Sequence, residues 1–392
     1  MKKQKIGIDI RAIGKQRAGD EYYTLNLIKE LLKLDRKNYY FLLTDTKNTK
    51  EIKDKILAGT KNKNVEIIPV LPRFKLFWTF FSLPRMAKKL DLDILHVQYI
   101  APFWLSQKTK LITTIADVSF NVCPDLINKL DLFFLRILIP LSLKKADKII
   151  TVSEFTKKEI IKYYDIEPDK ITAIHNGESS EIFFSEQNKN KKLILEKFGV
   201  KNSYLFYVGT HQPRKDLPTL IKAFISLKAE YSSQTEIKNL QLIIGGKIKS
   251  HNYDPQIDKT LKDLKKDPIK KELLKDLIFT GYLNDEELVT IHREAKFFVY
   301  PSLYEGFGLP LIEAMVSKTP VICSKIDCFK EIAGNAARFY KPKDPVSLQK
   351  AIFEVITNPQ IQQDLIIKGL KNAERFSWKT TADKTLKVFL EK

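Results

Sequence analysis

KFFVYPSLYEGFGLPLIEAM, Lys296 to Met315, passes from a short apolar run through a Gly-Phe-Gly turn into an apolar pattern at helical spacing. KFFVYPS predicts a buried strand, LYEGFG a turn, and Pro310 the first positions of a helix running to about Val316. A strand feeding a helix through glycines is the recurring half-unit of α/β proteins. Glu305 stands before the glycines and Glu313 follows inside the expected helix. These two acids interrupt a chain whose 67 Lys and Arg exceed its 47 Asp and Glu, for a net charge of +20.

Outward from this stretch the same alternation repeats. KIGIDI, YYFLLT, VEIIPV, DILHVQ, KLITTIAD, KIITVS and KITAIHNG in the first half, and YLFYVGT, LQLIIGG, LIFTGYL, PVICSK and ARFYKP in the second, each predict a buried strand. Helical patterns lie between them, among them Leu217 to Glu230 and Asp285 to Glu294. The expected fold class is α/β, with two Rossmann-like, doubly wound parallel-sheet domains facing across a cleft. The polar stretch SSEIFFSEQNKNKKL, around residues 180 to 192, reads as the linker. Residues 1–185 and 186–375 are the expected domains, and 376–392 a final helix expected to pack back on the first.

Charge alone invites a nucleic-acid reading, but only ten of the 67 basic residues are Arg, and the lysines are scattered. With no zinc-finger spacing and no RNP-like aromatic signature, nucleic acid is set aside as a partner. Either a lysine-rich surface without special role, or attraction to anionic headgroups or phosphorylated substrates, accounts for the charge. Cys123, Cys323 and Cys328 form no CxxC pair, so free thiols in a cytoplasmic protein are expected. MKKQK leads into no sustained apolar segment, so no signal peptide is read. FKLFWTFFSLP and LDLFFLRILIPLSL fall short of the roughly 20 apolar residues a spanning helix needs.

In YLFYVGTHQPRKDLPTLIKAF, Tyr204 to Phe224, a strand ends at Gly209 and Thr210. The following loop carries Arg214 and Lys215, and Asp216 is placed to cap a helix with Pro218 in its first turn. Two cations at the carboxyl end of a strand suit a diphosphate, Arg by bidentate bonding and Lys as a compact charge; a solvated pair before a helix is the plainer reading. Around Glu305 the glycines allow close backbone approach and the helix start attracts anions. The two carboxylates suit hydroxyl groups, which donate to them, or are ordinary helix-start acids. A diphosphate flanked by two hydroxyl-bearing rings, a nucleotide sugar, would engage every one of these groups.

YVGTHQPRKDLPTLIKAF, GYLNDEELVTIHREAKFFVYPSLYEGFGLPLIEAM and EIAGNAARFYKPKD resemble successive blocks of glycosyltransferase family 4, retaining sugar-nucleotide enzymes of the GT-B fold. IGIDIRAIGKQRAGDEYYTLNLIKEL, LPRMAKKLDLDILHVQYIAP, TIADVSF and ADKIITVSEFTKKEI resemble its amino-terminal blocks, and Glu305 and Glu313 match its E-x7-E signature. The resemblance implies transfer of a hexose, mannose among the candidates, from a GDP- or UDP-linked sugar to a glycan or lipid-linked acceptor in surface polysaccharide synthesis. It implies that Arg214 and Lys215 hold the diphosphate, that Glu313 receives the ribose hydroxyls and that Glu305 sits at the donor sugar. The amides of Gly306, Phe307, Gly308 and Leu309 would contact sugar and phosphate, and the backbone near Leu283 the base. Since cations and a helix dipole stabilise the leaving charge, no metal or other cofactor is expected.

Two departures lie in the first half. AGDEYYT keeps Gly19, expected near the donor, but has Glu21 where the family commonly has a second glycine; TIADVSF has Ala116 where the family often has His, leaving Asp117 as the polar group there. A catalytically weakened sugar-nucleotide binder is therefore the alternative function, and a glycosidase using Glu305 and Glu313 is disfavoured because both acids sit on one short segment. RFKLFWTFFSLPRMAKKL, Arg73 to Leu90, reads as core packing or as a shallow dock for an anionic membrane, which would make the protein peripheral. LDLFFLRILIPLSLKKADK reads as a buried helix. His96 is expected at a strand end facing the cleft, while His175, His211, His251 and His292 show no metal-ligand spacing.

Overall fold

A computed structural model describes residues 2–14, 18–58, 60, 63–70, 77–178, 190–248 and 252–391, the side chains of Ala18 and Leu126 aside. Most of the expected linker, residues 73–76 of the aromatic-basic segment and His251 lie outside them. The chain divides into two compact units, one of Met1–Val122, Lys129–Gly177 and Phe376–Lys392, the other of Cys123–Asn128 and Glu178–Arg375.

In the first unit, β1 (Lys5–Asp9), β2 (Tyr39–Thr44), β3 (Val65–Pro69), β4 (Ile94–Gln98), β5 (Lys110–Ile115), β6 (Lys148–Thr151) and β7 (Ile171–Ala173) form one sheet. Its order is β3-β2-β1-β4-β5-β6-β7, with every neighbour parallel. The second unit repeats the plan with β8 (Tyr204–Val208), β9 (Gln241–Gly245), β10 (Leu277–Gly281), β11 (Phe297–Tyr300), β12 (Val321–Ser324) and β13 (Ala337–Tyr340). Its order is β10-β9-β8-β11-β12-β13, again parallel. Parallel strands covered by helices on both faces need apolar residues at successive positions, which is why these runs do not alternate. Burial follows: β9, β11 and β12 are buried throughout, whereas the edge strands β3 and β10 are not. In each unit the order reverses once, between β1 and β4 and between β8 and β11, where open α/β sheets bind ligands.

The Trp378–Leu390 helix completes the first unit. Trp378 meets Tyr22 and Tyr23 edge-on at 5.9 and 6.1 Å, the Thr381 hydroxyl donates to the His175 carbonyl at 2.7 Å, and Lys110 Nζ donates to the Val388 carbonyl at 2.8 Å. Gly177 permits this, since a Cβ there would fall 2.2 Å from Trp378 N.

Three expectations change. His96 lies inside β4, is buried, hydrogen-bonds through Nε2 with the Thr114 hydroxyl at 2.8 Å and faces the Phe389 ring. The Leu-Phe-rich segment is a helix, Lys129–Lys145, but only Leu138, Ile139, Ser142 and Leu143 are buried in it; Leu130, Phe133, Phe134, Ile137 and Leu141 are exposed. The Phe77–Leu90 segment is divided: Trp78, Leu83 and Ala87 enter the core, while Phe77 and Phe81 stack on each other at 4.8 Å and stay exposed.

Candidate active site

The site of the second unit lies on the loops after β8 and β11, the two strands at its order reversal. After β8 the chain turns at Gly209, which packs against the Gly245–Gly246 turn after β9; a Cβ on Gly246 would lie 1.9 Å from the Gly209 carbonyl oxygen. Pro213–Lys215 then forms a single 3-10 turn ahead of the Leu217–Glu230 helix. Asp216 takes that helix's N-cap position with left-handed backbone, φ 49°, but its side chain makes no capping bond, which corrects the capping expectation. Burial lifts its carboxyl to about 6.

After β11 the chain runs through Tyr304, Glu305 and Gly306 to Gly308, whose φ of 103° sets the start of the Leu309–Val316 helix. The two loops are tied together: Leu303 N donates to the Arg214 carbonyl at 2.7 Å, and Arg214 Nη1 donates to the Tyr304 carbonyl at 3.2 Å. Glu305 is the centre of the cluster. Its Oε2 accepts from Arg214 Nη1 at 3.0 Å, and its Oε1 accepts from Lys215 Nζ. Lys215 Nζ also donates to the Tyr300 hydroxyl at 2.8 Å and lies over the Tyr300 ring. Burial by itself would raise the Glu305 carboxyl, but Lys215 and then Arg214 outweigh it and hold it down at about 2.

Sequence reasoning placed cations and acids as separate groups; the structure joins Arg214 and Lys215 to Glu305, about ninety residues further along the chain, into one set with one positive charge in excess. The Arg214 side chain is 23% exposed and Lys215 only 7%. An incoming anion therefore meets the guanidinium first, while Lys215 stays between Glu305 and Tyr300. Tyr300, at the end of β11, was missed by sequence reasoning, since a strand-end tyrosine before a proline reads only as core. Glu313 lies one turn into its helix, buried, with Oε2 3.9 Å from Nε2 of the fully buried His292. His292 packs edge-on to Phe206, and burial depresses its imidazole to about 3. Phe307 and Leu283 are buried; the Phe307 carbonyl accepts from the Cys328 thiol, and Leu283 Cδ1 is 3.0 Å from the Cβ position of Gly245.

The other candidates belong to the first unit. Gly19 is in the first turn of the Ala18–Leu34 helix, exposed, with open space at its Cβ position. Glu21 turns back on the preceding loop, its Oε1 accepting from Gly14 N at 2.9 Å. Part of its negative charge is thus engaged locally by a backbone amide. Asp117 follows β5 and accepts from Ser119 N at 2.9 Å, and the Ala116 carbonyl accepts from the Thr156 hydroxyl. At the end of β1 is a cluster the sequence did not reveal: Asp9 accepts from Arg11 Nη2 at 2.7 Å and Trp78 Nε1 at 3.2 Å, and the Arg11 guanidinium lies over the Trp78 ring.

His96 and His292, one in each unit, give a pH dependence. Burial lowers His96 to about 4 and His292 to about 3 from an ordinary 6.5. The unfolded chain takes up protons that the folded one cannot, so their contribution is complete above the unfolded value and falls as the pH drops below it. The expected slope is about 1.4 kcal/mol per pH unit for each histidine. Urea midpoints at about pH 7 and about pH 5 check this, with equal midpoints contradicting it.

Comparison with known proteins adds independent findings. A model described as glycosyl transferases group 1 matches residues 188–372, and one described as Glycosyltransferase Family 4 matches residues 18–179. The chain is 29% identical over 281 residues to the O-antigen chain mannosyltransferase B of Escherichia coli, covering 71% of this chain and 70% of that protein. It spans under a third, 28–29%, of further mannosyltransferases from the same organism. Among solved structures, a glycosyltransferase from Rickettsia africae superposes with a TM-score of 0.74 at 18% identity, over 100% of this chain and 99% of that one. Anabaena HepE, solved in complex with UDP and glucose, gives 0.71 at 16% identity over 99% of this chain and 100% of that one. With both halves matched in order and the two-sheet architecture shared, the chain belongs to the family 4 glycosyltransferases of the GT-B fold.

Proposed function

We propose that this chain transfers a hexose, with mannose the first candidate, from a GDP- or UDP-linked donor to a glycan or lipid-linked acceptor in surface polysaccharide synthesis, retaining the anomeric configuration. The observation that carries the proposal is the ion-paired Arg214–Lys215–Glu305 set, buried but for Arg214, at the strand-order reversal, beside the glycine turn and helix start at Gly308. Its excess positive charge and the positive end of the Leu309–Val316 helix dipole suit the chemistry of a departing diphosphate. In this reading Arg214 and Lys215 stabilise the leaving charge without a metal ion, Glu305 fixes both cations and meets the donor sugar, and Glu313 receives the ribose hydroxyls. The mannosyltransferase relative supports the choice of sugar, and the UDP complex of HepE supports a nucleoside diphosphate donor.

Thermal shift with a panel of nucleoside diphosphates and their sugars tests the reading. Stabilisation by GDP or UDP that disappears in Arg214→Ala names the base; no shift with any nucleotide overturns the proposal. Asp117, with Ala116 beside it, is proposed as the acceptor-side polar group. Ala116→His is expected to raise turnover by about tenfold or more by restoring a positioning and proton-handling group. Unchanged or lower turnover in a folded variant would count against this role for position 116.

A further inference from the structure

The Lys129–Lys145 helix carries a face that the glycosyl-transfer site does not use. At 3.6 residues per turn, Leu130, Phe133, Phe134, Ile137 and Leu141 fall within an arc of about 100°. All five are between 44% and 71% exposed, although four of their neighbours on the opposite side are buried in the unit. A helix on the surface of a protein surrounded only by water turns charged groups outward; here a contiguous apolar stripe takes that position. Cations border it: Lys144 and Lys145 at its carboxyl end, and Lys129 and Arg136 along one side, all exposed, against the single acid Asp131.

We infer that this stripe is a docking face for the interfacial region of an anionic phospholipid bilayer, on which the helix lies flat. Apolar side chains at this spacing enter the acyl boundary while the lysines stay at headgroup level. Charge selects the partner. Pairing with a second copy through the same face would bring Lys129, Arg136, Lys144 and Lys145 against their equivalents, between chains that each carry +20. An anionic surface relieves that repulsion. Among the described residues no helix is long and apolar enough to cross a membrane, and this one carries Pro140. On the buried side of the helix, Ala101 N donates to the Ser142 hydroxyl at 2.9 Å, and that loop continues to the half-buried Phe103, stacked on Phe80, and to the exposed Trp104.

Cosedimentation of the full chain with phosphatidylcholine vesicles, with and without phosphatidylglycerol, tests the inference. The wild type is expected to bind only the anionic vesicles. The combined variant Phe133→Ser, Phe134→Ser, Ile137→Ser is expected to lose about tenfold or more in partitioning, with its unfolding temperature and nucleotide response unchanged. Lys144→Glu with Lys145→Glu, which leaves the apolar stripe intact, is expected to lose the preference for phosphatidylglycerol. Equal binding by the apolar variant and the wild type overturns the inference. So does a wild type that ignores both vesicle types, or one that sediments without lipid as a dimer which the apolar variant converts to monomer. Because none of these substitutions touches the Arg214 cluster, failure here leaves the proposed transfer reaction standing, and the reverse also holds.

Discussion

Arg214→Ala is expected to lower kcat for transfer by about 100- to 1,000-fold, the loss typical when one fixed donor to a developing anion is removed. The effect falls mainly on kcat because the negative charge on the diphosphate grows as the glycosidic bond breaks, so the guanidinium is worth more in the transition state than in the bound donor. With nearly a quarter of its side chain exposed, Arg214 is the member of the cluster an arriving phosphate reaches. Its removal leaves the Lys215–Glu305 pair in place, so the unfolding temperature without nucleotide should barely move. Arg214→Lys restores charge but not the planar fork, and should recover only part of the rate. Steady-state kinetics on both variants checks this, and an alanine variant with wild-type kcat would contradict it.

Glu305→Ala is expected to show the opposite pattern, a large loss of stability. The carboxylate compensates Lys215, whose ammonium is almost wholly buried between it and the Tyr300 hydroxyl. Deleting one partner of a buried pair costs about 3–5 kcal/mol because the other charge stays behind unneutralised. For a unit of this size that lowers Tm by roughly 10 °C. Inorganic pyrophosphate or a nucleoside diphosphate should restore more of the lost Tm in this variant than it adds to the wild type, since the added anion then supplies the missing counter-charge. An unchanged Tm would show that the three charges are not coupled as the geometry describes.

All thirteen strands among the described residues were legible in the sequence, because a parallel sheet covered on both faces leaves an unbroken apolar run, and Asp285 to Glu294 was legible down to its ends because Asn284 and Glu287 form a reciprocal cap. The Lys129–Lys145 helix was legible as a helix, but its exposed apolar face was not. Apolar residues occur all round it, so periodicity could not say which face the protein covers, and burial was the default reading. The site was half legible: Arg214, Lys215, Glu305 and Gly308 could be singled out from loop position and turn chemistry. That Glu305 binds both cations could not, since the pairing follows from the adjacency of β8 and β11, which is a property of strand order and not of any local pattern.

The first unit is built from segments that the second interrupts: the chain leaves it at Gly177 and returns at Phe376. On the ribosome, all of residues 178–375 are therefore made before the helix that covers Tyr22, Tyr23 and Lys110 exists. The amino-terminal unit begins first and finishes last, and until then its unfinished face is the part of the nascent protein most in need of shelter.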